Sequence, residues 1–203
     1  TDAIDRLHTT AEAHHRIMVA EVMGRYAGWI ALYAGIAGGA DAILIPEIPF
    51  SIDSVAKRLQ AREKWGARFS IVVAAEGAVP KDGKRSLIKE ASGAYVERLG
   101  GIGQQVAAKL EELMGKETRS VVLGHLQRGG APTSFDRTLA TRFGGHAVEL
   151  LLRGETDKMV AFHPPAIVGI PLADIVGKTK NVPLDSDVIV TARSLGVTFG
   201  DED

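Results

Sequence analysis

Ile17-Met18-Val19-Ala20-Glu21-Val22 is a run of five apolar residues around one carboxylate, and Met23-Gly24-Arg25-Tyr26-Ala27-Gly28 follows it without a break. An apolar run of this length, bounded by glycine, reads as a strand covered on both faces. Polar residues placed directly after such a strand stand where the loops of an open parallel sheet converge on a ligand. The pattern recurs along the chain. Ala42-Ile43-Leu44-Ile45 is a second strand, stopped by Pro46. Phe69 to Ala75 is a third, running into Glu76-Gly77, and Ser120 to Leu123 is a fourth, leading into Gly124-His125-Leu126-Gln127-Arg128-Gly129-Gly130.

The intervening stretches carry helical signals. Residues 1–15 and Trp29 to Ala37 read as helices, the second ended by Gly38-Gly39. Ser51 to Glu63 places Ile52, Val55 and Leu59 on one face behind Ser51 as N-cap. Lys81 to Lys89 reads as a charged loop, and Gly93 to Met114 as a long helical region open to a break at Gly100-Gly101. A helix from Asp136 to Leu152, a short strand from Met159 to Phe162 and a mixed tail from Ile167, with small helices, complete the reading. Strands alternating with amphipathic helices imply an α/β fold: a mainly parallel sheet, doubly wound, in three layers. A single domain over 1–203 with a C-terminal tail is expected, without internal repeats.

The chain has 203 residues, 45% hydrophobic and 24% charged, with a formal net charge of −1. No global field favours nucleic acid or an anionic membrane, so recognition of an anion must come from a few locally placed cations. The absence of cysteine excludes disulfides and thiolate chemistry and fits a cytoplasmic location. No stretch approaches eighteen uncharged apolar residues, and no basic-then-apolar signal segment opens the chain. Thr1 to Leu7 reads as a helix already under way, without an initiator methionine, and the chain is expected to be a portion of a longer one.

Three polar clusters follow strands directly: Met23-Gly24-Arg25, Glu76-Gly77, and His125 through Gly130. Their glycines permit close backbone approach. Together they supply two arginines and a histidine for a phosphate and a carboxylate to accept from hydroxyls, which suits a phosphorylated, hydroxyl-rich molecule. Taken singly, each feature has a plain structural reading: Gly24 and Gly28 as turn and packing glycines, Glu76 as a helix cap, His125 as a satisfied core histidine. His14-His15, adjacent on a helix, point in different directions and read as surface. Gly100-Gly101-Ile102-Gly103 follows no predicted strand, lacks the P-loop lysine and reads as a helix break. Arg16 and Arg119 do not fit the strand-end picture. Each immediately precedes a predicted strand, so it belongs to the opposite edge of the sheet, about 20 Å from Arg25 and Arg128. Either they are structural ion-pair residues, or they complete the pocket of a neighbouring subunit in a symmetric oligomer.

Arg119-x-x-x-x-Gly124-His125-x-Gln127-Arg128-Gly129-Gly130, followed after five residues by Asp136-Arg137, resembles the signature of the 6-phosphofructokinase family. Glu21 to Gly28 is similar to a second block of that family, and Ala37-Gly38-Gly39-Ala40-Asp41, Pro46-Glu47 and Val73-Ala74-Ala75-Glu76 to further segments. The resemblance covers nearly the whole chain up to about Pro164. It implies the substrate half of the two-domain phosphofructokinase fold, with fructose 6-phosphate as ligand and phosphoryl transfer to its 1-hydroxyl as the glycolytic reaction. By the same resemblance, His125 and Arg128 contact the substrate in their own subunit, His125 on the 6-phosphate side. Met23, Gly24 and Glu76 hold the sugar, and Arg25 lies toward the phosphoryl group in flight. Arg16 and Arg119 resemble the arginines that reach the 6-phosphate from a neighbouring subunit, which implies a homodimer or homotetramer with shared sites.

The family's glycine-rich donor loop and its Thr-x-Asp-Asn-Asp-type segment do not occur in these 203 residues. ATP or pyrophosphate and Mg2+ are therefore expected to be held mainly by an N-terminal donor-binding half, and this chain alone is not expected to catalyse. Trp65-Gly66-Ala67-Arg68-Phe69 holds a single cation where many ATP-dependent relatives place several, which implies weak nucleotide activation. A different class of function, a non-catalytic sugar-phosphate-binding or regulatory module that kept the pocket, stays open at this point.

Overall fold

In the computed structural model, which describes residues 1–83, 87–89 and 98–202, strand β1 (Ile17–Val22) is the inner strand from which the sheet is built. It pairs in parallel with β3 (Ser70–Ala75) on one side and β6 (Thr118–Val122) on the other, and β3 pairs with β2 (Ala42–Leu44), giving the order β2-β3-β1-β6. Near the C-terminus Thr198 adds a parallel bridge to Ala42, which extends the β2 edge.

Successive side chains point to opposite faces, and in β1, β2 and β3 both faces are buried. Met18, Ala20, Val22, Ile43, Ile71 and Val73 enter one core with α1 (Asp2–His14), α2 (Trp29–Ala37) and α6 (Asp187–Ser194). Ile17, Val19, Ala42, Leu44, Val72 and Ala74 enter the other with α3 (Ile52–Lys64) and α4 (Ile102–Met114). The expected doubly wound, three-layer arrangement follows directly from this alternation. Ser51 caps α3 as expected, accepting a bond from the Ser54 N–H.

The chain separates into two compact units: Thr1–Gln127 with Lys180–Asp203, and Arg128–Thr179. The second unit contains α5 (Ser134–Leu152) and an antiparallel hairpin of β7 (Lys158–His163) and β8 (Ala166–Pro171). Helix α5 starts two residues before the expected Asp136. Thr133 and Asp136 form a reciprocal capping box, so Asp136 is the third helical residue and not the first. Strand β8 replaces part of the expected mixed tail. Leu150 of α5 is buried, and a Cβ at Gly169 would lie 3.0 Å from its side chain, so glycine lets helix and hairpin close.

Two further differences fall between β3 and β6. Leu87–Lys89 (β4) and Arg98–Leu99 (β5) form a short antiparallel pair where a loop and a helix are expected. The expected helical residues 93–97 lie outside the described residues. Helix α4 begins only at Ile102, because Gly100 and Gly101 adopt φ of 142° and 83°.

Candidate functional site

The register of the sheet decides which residues meet. Val22 lies opposite Ala75, and the Glu76 N–H donates to the Val22 carbonyl at 2.9 Å. On the other side Glu21 lies opposite Val122, and the Leu123 N–H donates to the Glu21 carbonyl at 3.0 Å. Met23, Glu76 and Gly124 therefore fall side by side just beyond the carboxyl ends of β1, β3 and β6. The neighbouring strands β1 and β3 send their following helices, α2 and α4, to opposite faces of the sheet. Strand ends at which the following helices diverge in this way are where a crevice forms and ligands bind in open α/β sheets.

Two loops are pressed together there. The Gly77 N–H donates to the Gly24 carbonyl at 3.0 Å, and a Cβ on Gly77 would lie 2.0 Å from the Arg25 carbonyl oxygen. Gly24, at φ 153°, leaves only 2.9 Å between an added Cβ and the Ala27 carbonyl. Both glycines are required for the approach, and at Gly24 this agrees with the turn-glycine reading. The Glu76 side chain is half-buried and makes no hydrogen bond to another described residue, which leaves its oxygens to accept from a ligand. The Arg25 guanidinium lies 5.8 Å from the Tyr26 ring centroid, a cation–π contact that keeps its N–H groups available. His125 is exposed in a 3-10 turn, Gly124–Arg128. Arg128 opens the second unit and is exposed.

Three supporting residues carry more of this architecture than the sequence reading assigned to them. The Gln127 Oε1 accepts a long bond from the Met23 N–H at 3.4 Å, while its Nε2 donates to the Gly124 carbonyl at 3.3 Å, tying the β1 and β6 loops. Glu21 is 3% exposed, and its carboxylate accepts from the Gly101 and Gly103 N–H groups at 3.2 and 2.8 Å. The N-terminus of α4 is thus already filled by an internal anion. The Gly100–Gly103 segment follows the short strand β5, contrary to expectation, and is a capped strand-to-helix junction. Glu47 accepts from the N–H groups of Gly28, at 3.1 Å, and Val182, at 2.9 Å, fixing the start of α2 against the C-terminal segment.

Arg16 and Arg119 stand at the opposite edge of the sheet. Arg119 lies within β6, one residue inside its start, and not just ahead of a strand. Both side chains meet on Glu117. Arg16 Nε donates to one carboxylate oxygen at 2.6 Å, and Arg119 Nη2 donates to the other at 2.6 Å. The Arg16 bond is the main reason the Glu117 carboxyl is held below its usual range. Of the two readings offered by the sequence, the ion pair is present within this chain. His14 and His15 are exposed, and His15 takes the left-handed conformation that ends α1.

The phosphofructokinase family model matches residues 1–151. The chain belongs to the phosphofructokinase family. It is 56% identical over 202 residues to the ATP-dependent 6-phosphofructokinase of Chloroflexus aurantiacus, a match that takes in 100% of this chain and 55% of that protein. The ATP-dependent 6-phosphofructokinase of Spirochaeta thermophila is 52% identical over 203 residues, covering 99% of this chain and 55% of the relative. The chain therefore spans about half the length of these curated phosphofructokinases. Among solved structures, phosphofructokinase from Saccharomyces cerevisiae superposes with a TM-score of 0.71 at 34% identity, over 85% of this chain and 22% of that one. No helix among the described residues is long and apolar enough to cross a membrane.

Proposed function

We propose that this chain supplies the fructose 6-phosphate side of a 6-phosphofructokinase, in which a phosphoryl group passes from ATP to the sugar 1-hydroxyl in cytoplasmic glycolysis. The observation that carries the reading is the row formed by Met23, Glu76 and Gly124 at the crevice between β1 and β3. The names of the curated relatives favour ATP over pyrophosphate as donor.

In this proposal the Glu76 carboxylate accepts hydrogen bonds from sugar hydroxyls, and the Met23-Gly24 backbone packs on the ring. Arg25, beside them, offers its guanidinium to the negative charge that builds on the transferring group. Such electrostatic stabilisation is what phosphoryl transfer chiefly requires of a protein. His125 and Arg128 recognise the 6-phosphate of the substrate bound to their own subunit. Arg16 and Arg119 serve the pocket of a neighbouring subunit in a homodimer or homotetramer, because a six-residue strand of about 20 Å separates them from Met23. Among the described residues, no group of three His, Asp or Glu side chains could hold a metal ion. The described residues therefore do not fit Mg2+.

The test is ATP-dependent phosphorylation of fructose 6-phosphate by the full-length protein and its Glu76→Ala variant. The variant should lose 10- to 100-fold in kcat/KM, the worth of about 1.5–3 kcal/mol for a hydrogen bond to a charged group. Wild-type kinetics in the variant would remove Glu76 from the site. Sugar-phosphate binding without phosphorylation by the full-length protein would favour the regulatory module.

A further inference from the structure

We infer that Glu117 is a positioning residue for phosphate recognition: its carboxylate gathers Arg16 and Arg119 into one two-pronged cation at the amino edge of the sheet. The inference rests on the function proposed above for those arginines.

The parallel register sets the arrangement. Ile17 lies opposite Thr118, and the Ile17 N–H donates to the Glu117 carbonyl at 3.1 Å, so the backbone places Glu117 beside Arg16. Arg119, two residues on, projects from the same side of β6 as Glu117. Each carboxylate oxygen then takes one arginine, both at 2.6 Å. Two guanidiniums left alone at this edge would repel each other. One carboxylate between them offsets that repulsion and fixes both planes, while two positive charges and one negative still leave a local excess of +1.

The donors left over suit a phosphate. Arg16 spends its Nε–H on Glu117 and keeps both terminal amino groups, and Arg119 spends one N–H of Nη2. Neither makes another hydrogen bond among the described residues. The side chains of Arg16, Arg119 and Glu117 are 28%, 56% and 38% exposed, so the remaining donors reach the surface. An arginine pair presenting N–H edges from fixed planes matches a phosphomonoester dianion, which takes two N–H bonds from each fork. Stability offers little competing explanation, because ion pairs near the surface contribute little to it.

The experiment uses the full-length oligomer, with steady-state kinetics in fructose 6-phosphate and in ATP for wild type, Arg119→Ala, Glu117→Gln and Glu117→Ala. Arg119→Ala should raise the KM for fructose 6-phosphate about tenfold or more. Both Glu117 variants should raise that KM about fivefold, a coupling typical of residues in one ion-pair network. They should leave kcat and the KM for ATP within about twofold and the thermal midpoint within a few degrees. Competitive inhibition by inorganic phosphate should weaken in parallel. A wild-type or lowered KM in Glu117→Gln, beside a raised KM in Arg119→Ala, would overturn the positioning role and make the carboxylate a spectator or a competitor of phosphate. An unchanged KM in Arg119→Ala would instead refute the assignment of this edge to the substrate phosphate, and the inference with it.

Discussion

Replacing Gly77 by alanine probes the crevice with a single methyl group. The new Cβ would stand 2.0 Å from the Arg25 carbonyl oxygen and 2.8 Å from that of Gly24. Both neighbours are backbone, so no side chain can swing away. Restoring ordinary contact, about 3.5 Å, requires the Met23–Arg25 and Glu76–Gly77 loops to part by about 1.5 Å. The bond from the Gly77 N–H to the Gly24 carbonyl would stretch or break with that movement. Overpacking of this kind costs about 1–3 kcal/mol of stability. Catalysis should suffer at least as much, since a displacement of about 1 Å at reacting groups can cost about 100-fold. We therefore expect Gly77→Ala of the full-length protein to fold, with a lowered urea midpoint, and to lose about 100-fold in kcat/KM for fructose 6-phosphate. A variant within threefold of wild type would show that the two loops need not touch, and the crevice geometry would fall as an explanation of the site.

Other perturbations address the supports around that crevice. Glu21→Gln keeps one accepting oxygen but turns an amide toward the N–H groups at the start of α4; we expect a loss of about 1–3 kcal/mol in chemical denaturation, and a neutral outcome would mean that the buried carboxylate does not anchor the helix. Arg193 donates to both oxygens of Asp201, at 3.0 and 2.6 Å, and holds that carboxyl below its ordinary range. The folded pKa is then lower than the unfolded one, so the pair's contribution, about 1 kcal/mol after solvent screening, is full above pH about 4 and fades as the pH falls through the lower folded value. The stability gap between wild type and Asp201→Asn should accordingly stay constant above about pH 5 and narrow as the pH falls below about 4, whereas a gap that stays constant at low pH would assign it to packing.

The sheet was legible because its signals are local. Ile17–Val22 and Ser70–Ala75 are short apolar runs ended by glycine or by a carboxylate and glycine, and burial on both faces leaves them little room to be anything else. The strand-end clusters were legible for the same reason, since their place in the fold follows from the strand before them. What escaped the reading depends on partners far along the chain. Glu117 becomes meaningful only when β6 lies beside β1, 101 residues from Arg16. Glu21 caps a helix some 80 residues later, and in sequence it is only a carboxylate inside a strand. Strand β8 was obscured by Gly169 and by prolines at 164, 165 and 171, which weaken a strand signal, whereas the hairpin register and the packing of Leu150 on Gly169 hold it.

The central claim is that the two edges of this sheet serve two different pockets, the strand-end row in its own subunit and the Arg16–Arg119 pair in a neighbour's. Subunit complementation tests it most directly. Glu76→Ala and Arg119→Ala full-length proteins, each deficient alone, would be mixed one to one under conditions that exchange subunits, and fructose 6-phosphate phosphorylation followed. Shared sites predict that on the order of a quarter of the pockets pair an intact Glu76 with an intact Arg119, restoring a matching share of wild-type activity. Activity that stays at the mean of the two parents, with subunit exchange verified, would contradict the shared pocket and place each site within a single chain.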